Sequence, residues 1–322
     1  MAAAGSATVS TIAEVSGLPP VFVVAGSTAS GKSDLALEIA ERFSGEIVNC
    51  DSVQLCRYLD VGTAKTPESE RRGIPHHLID ILEPWQHFTA GDYARAARPV
   101  LVEIASRGKV PIIVGGTGFY LRALLEGLSD GPGRDPGLRE RLAARKPGSP
   151  HRLLSRFDPA AARRIHPNDS NKVIRALEVC LLTRQPMTKL FEENPIRKLE
   201  GFRVLKVGLD PDREALAKRI DSRCRKMFGS GLLQEVNKVL AMGCPRDAKA
   251  LQSIGYREAV LCLDGSLSPQ AAIEQTIIAT RQYAKRQRTW FRREPDLFRI
   301  PGFGTDAGVK QLAIHHLEVG IK

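Results

Sequence analysis

The chain has 322 residues, of which 43% are hydrophobic and 26% are charged, a composition typical of a folded globular protein. At about 150 residues per domain, this length predicts about two domains. No apolar run reaches the roughly 18 residues that a membrane-spanning helix needs, which excludes an integral membrane protein. The six cysteines form no CxxC pair, and this predicts a protein of the reducing cytoplasm without structural zinc.

The net charge of +11 is distributed unevenly along the chain. Residues 1–120 carry 10 Lys and Arg against 13 Asp and Glu, whereas residues 121–300 carry 35 against 21. Dispersed positive charge often serves solubility alone. An excess confined to one part of the chain also fits a polyanionic partner.

In chain order, the first 18 residues contain no Lys or Arg, so they predict a flexible tail rather than a secretory signal. Short apolar, β-branched runs then predict strands over 21–25, 46–50 and 110–114, and helical spacing of apolar residues predicts a helix over 33–43. Strands alternating with helices are typical of a parallel sheet.

The middle of the chain breaks this alternation. Residues 121–200 show no strand pattern and predict helices separated by Gly and Pro. A strand over 203–209 then returns to the sheet, and residues 212–293 predict mainly helix. The stretch from about residue 300 carries Gly302, Gly304 and Gly308 and little functional signal.

One motif carries specific chemistry. The segment after the first strand matches G-x-x-x-x-G-K-[ST] at every fixed position, and it opens a helix: Gly26, Ser27, Thr28, Ala29, Ser30, Gly31, Lys32 and Ser33. Its backbone N–H groups and helix N-terminus bind phosphate oxygens, Lys32 adds a positive charge, and the Ser33 hydroxyl can bind Mg²⁺. The predicted fold class is therefore α/β: a P-loop parallel sheet with an inserted helical subdomain and a helical C-terminal region.

The acid that a P-loop hydrolase carries after an apolar strand is missing here. The strand over 110–114 runs into glycines, and Asp80 follows a His pair rather than a clean strand. Asp51, after the second strand, is the acid placed at a strand end, and Thr117 lies in the loop after the third. Since ligands bind at the carboxyl ends of parallel strands, we expect Asp51 to act as a general base and Thr117 as a positioning hydrogen-bond partner. Helix capping, or for Asp51 an indirect contact to Mg²⁺, is the structural alternative.

The sequence resembles the bacterial tRNA dimethylallyltransferase family, also called tRNA isopentenyltransferases. The matching segments run in the expected order from about residue 20 to residue 293: GSTASGKSDLAL (26–37), DSVQ (51–54), DVGTAK (60–65), PHHLID (75–80), VGGTGFYLRALLEG (114–127), RALE (175–178), GLLQEV (231–236), SIGYRE (253–258) and TRQYAKRQRTW (280–290). This set is far more specific than the phosphate loop alone.

The resemblance implies transfer of a dimethylallyl group from dimethylallyl diphosphate to N6 of the adenosine immediately 3′ of a tRNA anticodon. It implies that the phosphate loop, with Mg²⁺ and Arg223, holds the donor diphosphate, that Asp51 accepts the proton from the amine and that Thr117 lies near that amine. The tRNA contacts that it implies are Asp51, Ser52, Val53, Gln54, Asn171, Lys172, Val173, Ile174 and Arg175. Near the C-terminus, basic residues interleaved with aromatic ones suit single-stranded RNA and add Arg281, Lys285, Arg286 and Arg288 to the expected contacts.

The same resemblance implies a domain plan. Residues 1–18 are expected to form the tail, residues 19–120 and 201–300 the catalytic core, and residues 121–200 an inserted tRNA-binding subdomain. The protein is expected to be a cytoplasmic monomer. Three positions depart from the family pattern: Ser27 replaces a common Pro, Cys56 a usual Tyr, and Asn171-Lys172 a usual Gln-Arg, which leaves tRNA contacts at the last pair in doubt.

Three other functions compete with this one. An enzyme that prenylates free AMP, ADP or ATP would share the phosphate loop and the acid, but it would need the basic region beyond residue 120 less. A small-molecule kinase would use the loop for ATP. A non-catalytic RNA-binding module would leave the loop unexplained.

Overall fold

The computed structural model describes residues 17–129, 131–194 and 197–322, so all but the last two residues of the predicted tail lie outside it. The chain divides into two compact units. The described residues up to 125 and from 199 to 322 belong to the larger unit, and those between 126 and 198 form the smaller one.

The described residues of the larger unit build a six-stranded sheet in which every neighbouring pair is parallel. The order across it is β3-β2-β4-β1-β5-β6. The strands are β1 (Pro20–Gly26), β2 (Gly45–Asn49), β3 (His76–His77), β4 (Val110–Gly115), β5 (Arg203–Leu209) and β6 (Leu297–Ile300). Because all of them are parallel, the loops that follow them lie at one edge of the sheet.

Helices cover both faces of this sheet. Those of the larger unit are α1 (Lys32–Phe43), α2 (Ala90–Ser106), α3 (Gly118–Leu125), α9 (Arg213–Gly229), α10 (Leu232–Ala241), α11 (Tyr256–Leu263), α12 (Pro269–Phe291) and α13 (Ala307–Ile321). Helices α1 and α13 pack on the face that includes Phe22 and Val24. The alternate residue Val23 points to the other face, where α12 contacts β1 and α2 contacts β4.

The regular elements in the described residues of the smaller unit are all helices. It contains α4 (Pro136–Ala143), α5 (Ser149–Phe157), α6 (Pro159–Arg164), α7 (Ser170–Thr183) and α8 (Met187–Glu193). Its core is a separate apolar cluster around Leu154, Ala161 and Leu177. Asp158 is buried beneath it and accepts hydrogen bonds from the Ala161 amide at the start of α6 and from Thr188 in α8.

The predicted fold class is confirmed, including the four predicted strands and the helical insertion. Two elements went unpredicted because their sequences lack periodicity: the His pair forms strand β3 at the sheet edge, and Leu297–Ile300 forms β6. The stretch after residue 300, which carried little functional signal, contains helix α13, and its Gly304 packs against the phosphate loop.

Candidate active site at the carboxyl edge of the sheet

The phosphate loop joins β1 to α1 through a strained turn. Ala29 has φ +62° and Gly31 has φ +86°, so the chain passes twice through the left-handed region before the helix begins. The Ser27 carbonyl lies inside the turn, where it accepts hydrogen bonds from the Ser30 hydroxyl at 2.8 Å and from Lys32 Nζ at 2.7 Å. The whole predicted set, Gly26 to Ser33, therefore forms one cradle.

The Lys32 side chain crosses this cradle, and its pKa is perturbed. Burial lowers the pKa of Lys32 to about 8, Asp51 opposes this shift and Arg223 adds to it. An anion bound beside Lys32 would favour the charged form of this side chain and raise its pKa again. With the loop amides at the start of α1, this lysine suits the loop to an anionic ligand.

Asp51 directly follows β2 at the next position along the edge. Its backbone N–H donates to Asn49 Oδ1 at 3.0 Å, and its Oδ1 accepts from the Val53 amide at 3.0 Å. Asn49 is itself fixed by a bond from Nδ2 to the Leu78 carbonyl at 2.9 Å. One carboxylate oxygen thus shapes the turn, and the side chain lines the central cavity.

Thr117 lies beside Asp51. Its Oγ1 accepts from the Ser52 amide at 3.2 Å, and its N–H donates to the Cys50 carbonyl at 3.3 Å. The Thr117 carbonyl also accepts from the Leu121 amide at the start of α3, so the residue caps that helix with its backbone while its side chain joins the Asp51 loop. The structure brings the two predicted catalytic residues together.

Tyr283 of α12 completes this corner. Burial and the nearby Asp51 carboxylate together raise the pKa of Tyr283 to about 12, against the opposing effect of the Thr117 side chain. The phenol therefore stays protonated. It joins Thr117 to the wall of the cavity that Asp51 also lines.

Arg223 of α9 lies across the cavity from these loops. Its Nη2 donates to the Thr63 carbonyl at 3.2 Å, and Gln54 Nε2 donates to the same oxygen at 3.2 Å. Burial lowers the pKa of Arg223 from its very high ordinary value, while Asp51 raises it. Thr63 thus connects two predicted site residues on different elements.

These groups surround a cavity of about 760 Å³. Its wall includes the phosphate loop, the Asp51 turn, Arg223 and Tyr283. Arg219 and Thr305 also line it and are joined by a 2.9 Å hydrogen bond, with the Arg219 guanidinium 4.0 Å from the centre of the Phe303 ring. The arrangement combines an anion cradle with a carboxylate in one cleft, which suits transfer from a phosphorylated donor to a nucleophile that loses a proton in the reaction.

The other acids considered for the site have structural partners. Asp80 forms an ion pair with Lys65, whose side chain is 3% exposed. The sequence predicted Asp51 alone as an acid at a strand end near the loop. That prediction is wrong, because Asp210 directly follows β5. Arg288 neutralises Asp210 at 2.7 Å.

The predicted RNA contacts on α12 fall into two groups. Lys285 and Arg286 are exposed. Arg281 is also exposed but forms an ion pair with Asp221, whereas Arg288 is only 15% exposed and is paired with Asp210. Arg288 thus attaches α12 to the end of β5 and offers little free charge to a phosphate.

The predicted contacts in the smaller unit divide in the same way. Asn171 and Lys172 are exposed in the first turn of α7, whereas the side chains of Val173 and Ile174 pack in the apolar core and offer RNA no side-chain surface. Arg175 donates to Glu178 at 2.7 Å and to the Pro132 carbonyl at 2.8 Å.

Several site residues had no signal in the sequence. The glutamine at 287 and the stretch around Gly304 contact the phosphate loop: Thr28 N–H donates to Gln287 Oε1 at 2.8 Å, and Gly304 N–H donates to the Ser30 carbonyl at 2.9 Å. Gln287 lies in a segment that matches the family, but its inward orientation within a basic helix is visible only in three dimensions.

Comparison with known proteins places this site in a family. The IPP transferase model matches residues 54–294, and the isopentenyl transferase model matches residues 19–80. The tRNA dimethylallyltransferase of Solibacter usitatus (strain Ellin6076) is 54% identical over 298 residues, which cover 92% of this chain and 97% of that protein. The chain belongs to the tRNA dimethylallyltransferase family. The expected resemblance is confirmed, and the enzyme of Geobacter metallireducens (strain ATCC 53774 / DSM 7210 / GS-15), with the same name, is 47% identical over 281 residues, 86% of this chain and 91% of that one.

Solved structures of the family share this fold. The full-length tRNA isopentenylpyrophosphate transferase of Bacillus halodurans superposes with a TM-score of 0.70 at 36% identity, covering 94% of this chain and 96% of that one. A eukaryotic dimethylallyltransferase described as acting on tRNA gives 0.79 at 28% identity, covering 94% of this chain and 79% of that one. Over the residues described, no helix of the present chain is long and apolar enough to cross a bilayer.

Proposed function

We propose that this chain transfers the dimethylallyl group of dimethylallyl diphosphate to N6 of the adenosine immediately 3′ of the anticodon in tRNA. The observation that carries the proposal is the single cavity lined by both the phosphate loop and Asp51. The names of the relatives supply the class of donor and acceptor, and the cavity supplies a place for each.

The donor half uses the charge of the cradle. The diphosphate binds the amides of the phosphate loop with Lys32 and Arg223, and these groups offset the negative charge that grows on the leaving group as its C–O bond breaks. Arg219 lines the same cavity and adds a third cation. Such preorganised donors act most strongly in a cleft from which water is excluded.

The protein itself supplies only part of the ligand set that a divalent cation would need in this half of the site. Among the described residues no cluster of three His, Cys, Asp or Glu side chains could hold a metal. The Ser33 hydroxyl, exposed at the start of α1, would hold Mg²⁺ together with diphosphate oxygens, a ligand set that this ion commonly adopts. When bound, Mg²⁺ would supply further neutralisation of the leaving group.

The acceptor half uses Asp51. The exocyclic amine of adenine is a weak nucleophile, because its lone pair is delocalised into the ring. Asp51 accepts a proton from N6 as the N–C bond forms, a contribution of about 10²–10⁴ in rate for general base catalysis. Thr117 holds the Asp51 turn through Ser52 and lies within reach of the amine. The base leaves its stack to enter the cavity, at a cost of a few kcal/mol.

The RNA is bound by the exposed cations of the C-terminal part. Among the residues that the sequence assigned to tRNA, Arg281, Lys285 and Arg286 are exposed on α12. In the smaller unit, Asn171 and Lys172 are exposed on α7. Arg281 and Lys172 form ion pairs with Asp221 and Asp169, so Lys285 and Arg286 are the cations most available to phosphates. We assign catalysis to residues 19–120 and 201–300 and tRNA binding to the insertion 121–200. A cytoplasmic location and a monomeric state remain predictions.

Mass spectrometry of nucleosides tests the proposal directly. The purified chain is incubated with dimethylallyl diphosphate, Mg²⁺ and unmodified tRNA, and the digested RNA should contain an adenosine heavier by one dimethylallyl group in place of one hydrogen. In parallel, ATP without tRNA should release no phosphate. A product on free AMP alone would favour the mononucleotide enzyme, and tRNA-independent phosphate release from ATP would favour a kinase or hydrolase.

A further inference from the structure

The phosphate loop and the loop after β4 are joined by one side chain that takes no part in the chemistry described above. Gln287 is 5% exposed and lies near the C-terminal end of α12. Its Oε1 accepts from the Thr28 amide at 2.8 Å, and its Nε2 donates to the Gly116 carbonyl at 2.8 Å. We propose that Gln287 is a positioning residue, which fixes the donor-binding loop relative to the loop that carries Thr117. This inference rests on the proposed function.

The chemistry of the amide suits this role. A primary amide presents an acceptor oxygen and donor N–H groups a fixed distance apart, so it can satisfy an N–H on one loop and a carbonyl on another at once. The two partners lie after β1 and β4, which are adjacent in the sheet. No apolar residue of similar size could make either bond, and a carboxylate would face the Gly116 carbonyl with like charge.

The backbone opposite the amide leaves room for it. A Cβ at position 116 would lie 2.2 Å from Gln287 Nε2, so only glycine permits the contact. Gly116 does not have a positive φ, and the reason for glycine there is space rather than conformation.

Neighbouring residues on the same face of α12 reinforce the connection. Tyr283, four residues earlier, interacts with the Thr117 side chain, and Trp290, three residues later, covers Gly118, where a Cβ would lie 2.3 Å from its ring. Residues with these spacings project from one side of a helix. One face of α12 therefore contacts the phosphate loop and the Gly116–Gly118 segment together.

This contact matters because transfer requires alignment. The donor carbon must lie in line between its leaving oxygen and N6, and a displacement of about 1 Å caused by a remote change can cost about 10²-fold in rate. Gln287 acts through the two loops rather than on the reacting atoms. Its loss should therefore reduce turnover even when both substrates are saturating.

The test replaces Gln287 with Met, which preserves length and apolar packing but removes both hydrogen bonds. We expect kcat to fall about 10- to 100-fold and KM for dimethylallyl diphosphate to rise, while the Kd for tRNA stays within about two-fold. The matched control is Gln270→Met, at an exposed position in the first turn of the same helix, which should match wild type.

A double-mutant cycle separates positioning from general damage to the fold. Gly116→Ala leaves Gln287 in place but pushes its amide away, so it should reproduce the loss. The double variant should then be at most about three-fold slower than the slower single one, because both changes break one contact. If Gln287→Met does not fold, Gly116→Ala alone decides the matter. A kcat within two-fold of wild type in the folded variants, or losses that multiply in the double variant, overturns the inference.

Wild type run alongside keeps this inference distinct from the proposed function. If wild type forms no prenylated nucleoside, the proposed function fails. The double-mutant cycle then uses the Kd for inorganic diphosphate with Mg²⁺ as its readout, and both single variants should raise that Kd. If wild type is active and the variants equal it, the positioning role alone fails.

Discussion

Asp51 performs two tasks that can be separated by one substitution. Its Oδ1 accepts from the Val53 amide, and an asparagine oxygen can keep that bond, whereas only the carboxylate can accept a proton. We expect Asp51→Asn to lower the single-turnover rate at least about 10²-fold and to leave the Kd for tRNA nearly unchanged. Rapid-quench rates and filter binding measure the two quantities, with Asp264→Asn, a remote half-exposed acid paired with Arg246, as the control. Near-normal turnover would remove Asp51 from the role of base.

Lys32 gives the donor site a predictable pH dependence. Because its pKa in the free protein is lowered to about 8, the side chain loses its charge as the pH rises through that value, and an anion that binds must restore the proton. The affinity for dimethylallyl diphosphate should therefore fall as the pH rises above about 8, by up to ten-fold per pH unit, with uptake of one proton on binding. Calorimetry in two buffers of different ionisation enthalpy measures both quantities.

Lys32→Arg is the control for this pH dependence. A guanidinium stays charged well above pH 10, so the variant should show a flat affinity between pH 7.5 and 9.5, and any titration of the ligand itself will appear in both proteins. Equal slopes for wild type and the arginine variant would contradict the assignment of the titration to Lys32.

The sequence predicted the helices and strands that carry strong local patterns. Strand β1 is buried on both faces and its centre consists of three valines and Phe22, so its composition alone reveals it. Strand β3 consists of two half-buried histidines, and His77 contacts Glu46 of β2 at 2.7 Å. These two residues form a strand only because their backbone pairs with β2, a segment distant in the chain. Tertiary context decides such short edge segments, as it does for the inward glutamine at 287.

Helix α13 shows the opposite case. Val309, Ala313 and Leu317 recur every four residues and are buried against the sheet, so a helical signal was present in the sequence. The contact of Gly304 with Gly31 was not predictable: a Cβ on Gly304 would lie 2.1 Å from the Gly31 carbonyl oxygen, a proximity between residues 273 apart in the chain.

Helices α4 and α7 of the insertion are held together by one buried acid. Glu178 is fully buried and accepts from Arg139, from Arg175 and from the Asp135 amide. Burial favours its neutral form, but the bonds from Arg175 and Asp135 outweigh this and hold the pKa of Glu178 below its usual value. Its contribution to stability is therefore present above the unfolded-state pKa, near 4.3, and is lost as the pH falls through the lower folded value.

Glu178→Gln should destabilise the insertion by about 1–3 kcal/mol at neutral pH, and the difference from wild type should shrink below about pH 4. Hydrogen exchange of peptides within residues 136–183 of the full chain measures this locally. Glu193→Gln, which removes an exposed ion pair with Lys189, should change exchange little. Equal protection of the Glu178 variant and wild type at pH 7 would show that the acid does not join these helices.

Over the whole molecule, the distribution of charge separates a tRNA enzyme from one that acts on free nucleotides. Residues 121–300 carry 35 Lys and Arg against 21 Asp and Glu, although ion pairs such as Arg281 with Asp221 occupy part of this excess. Each phosphate that the protein neutralises releases counterions, so binding to RNA must weaken as salt rises. Single-stranded contacts give a log–log slope of about −0.7 per phosphate, so three or more contacts give a slope steeper than about −2.

An anticodon stem-loop with adenosine 3′ of the anticodon should therefore be a good acceptor with a steep salt dependence of kcat/KM, and AMP a poor one. Lys285→Ala/Arg286→Ala removes two exposed cations of α12, so it should raise KM for the stem-loop, reduce the slope by about 1 to 2, and leave KM for the donor unchanged. Lys109→Ala/Arg203→Ala removes two charges at the opposite edge of the sheet, before β4 and at the start of β5, and should keep the wild-type slope. The measurement is kcat/KM for both acceptors at several salt concentrations. Equal efficiency for AMP and the stem-loop, with weak salt dependence for each, would assign the basic region to solubility and the enzyme to free nucleotides.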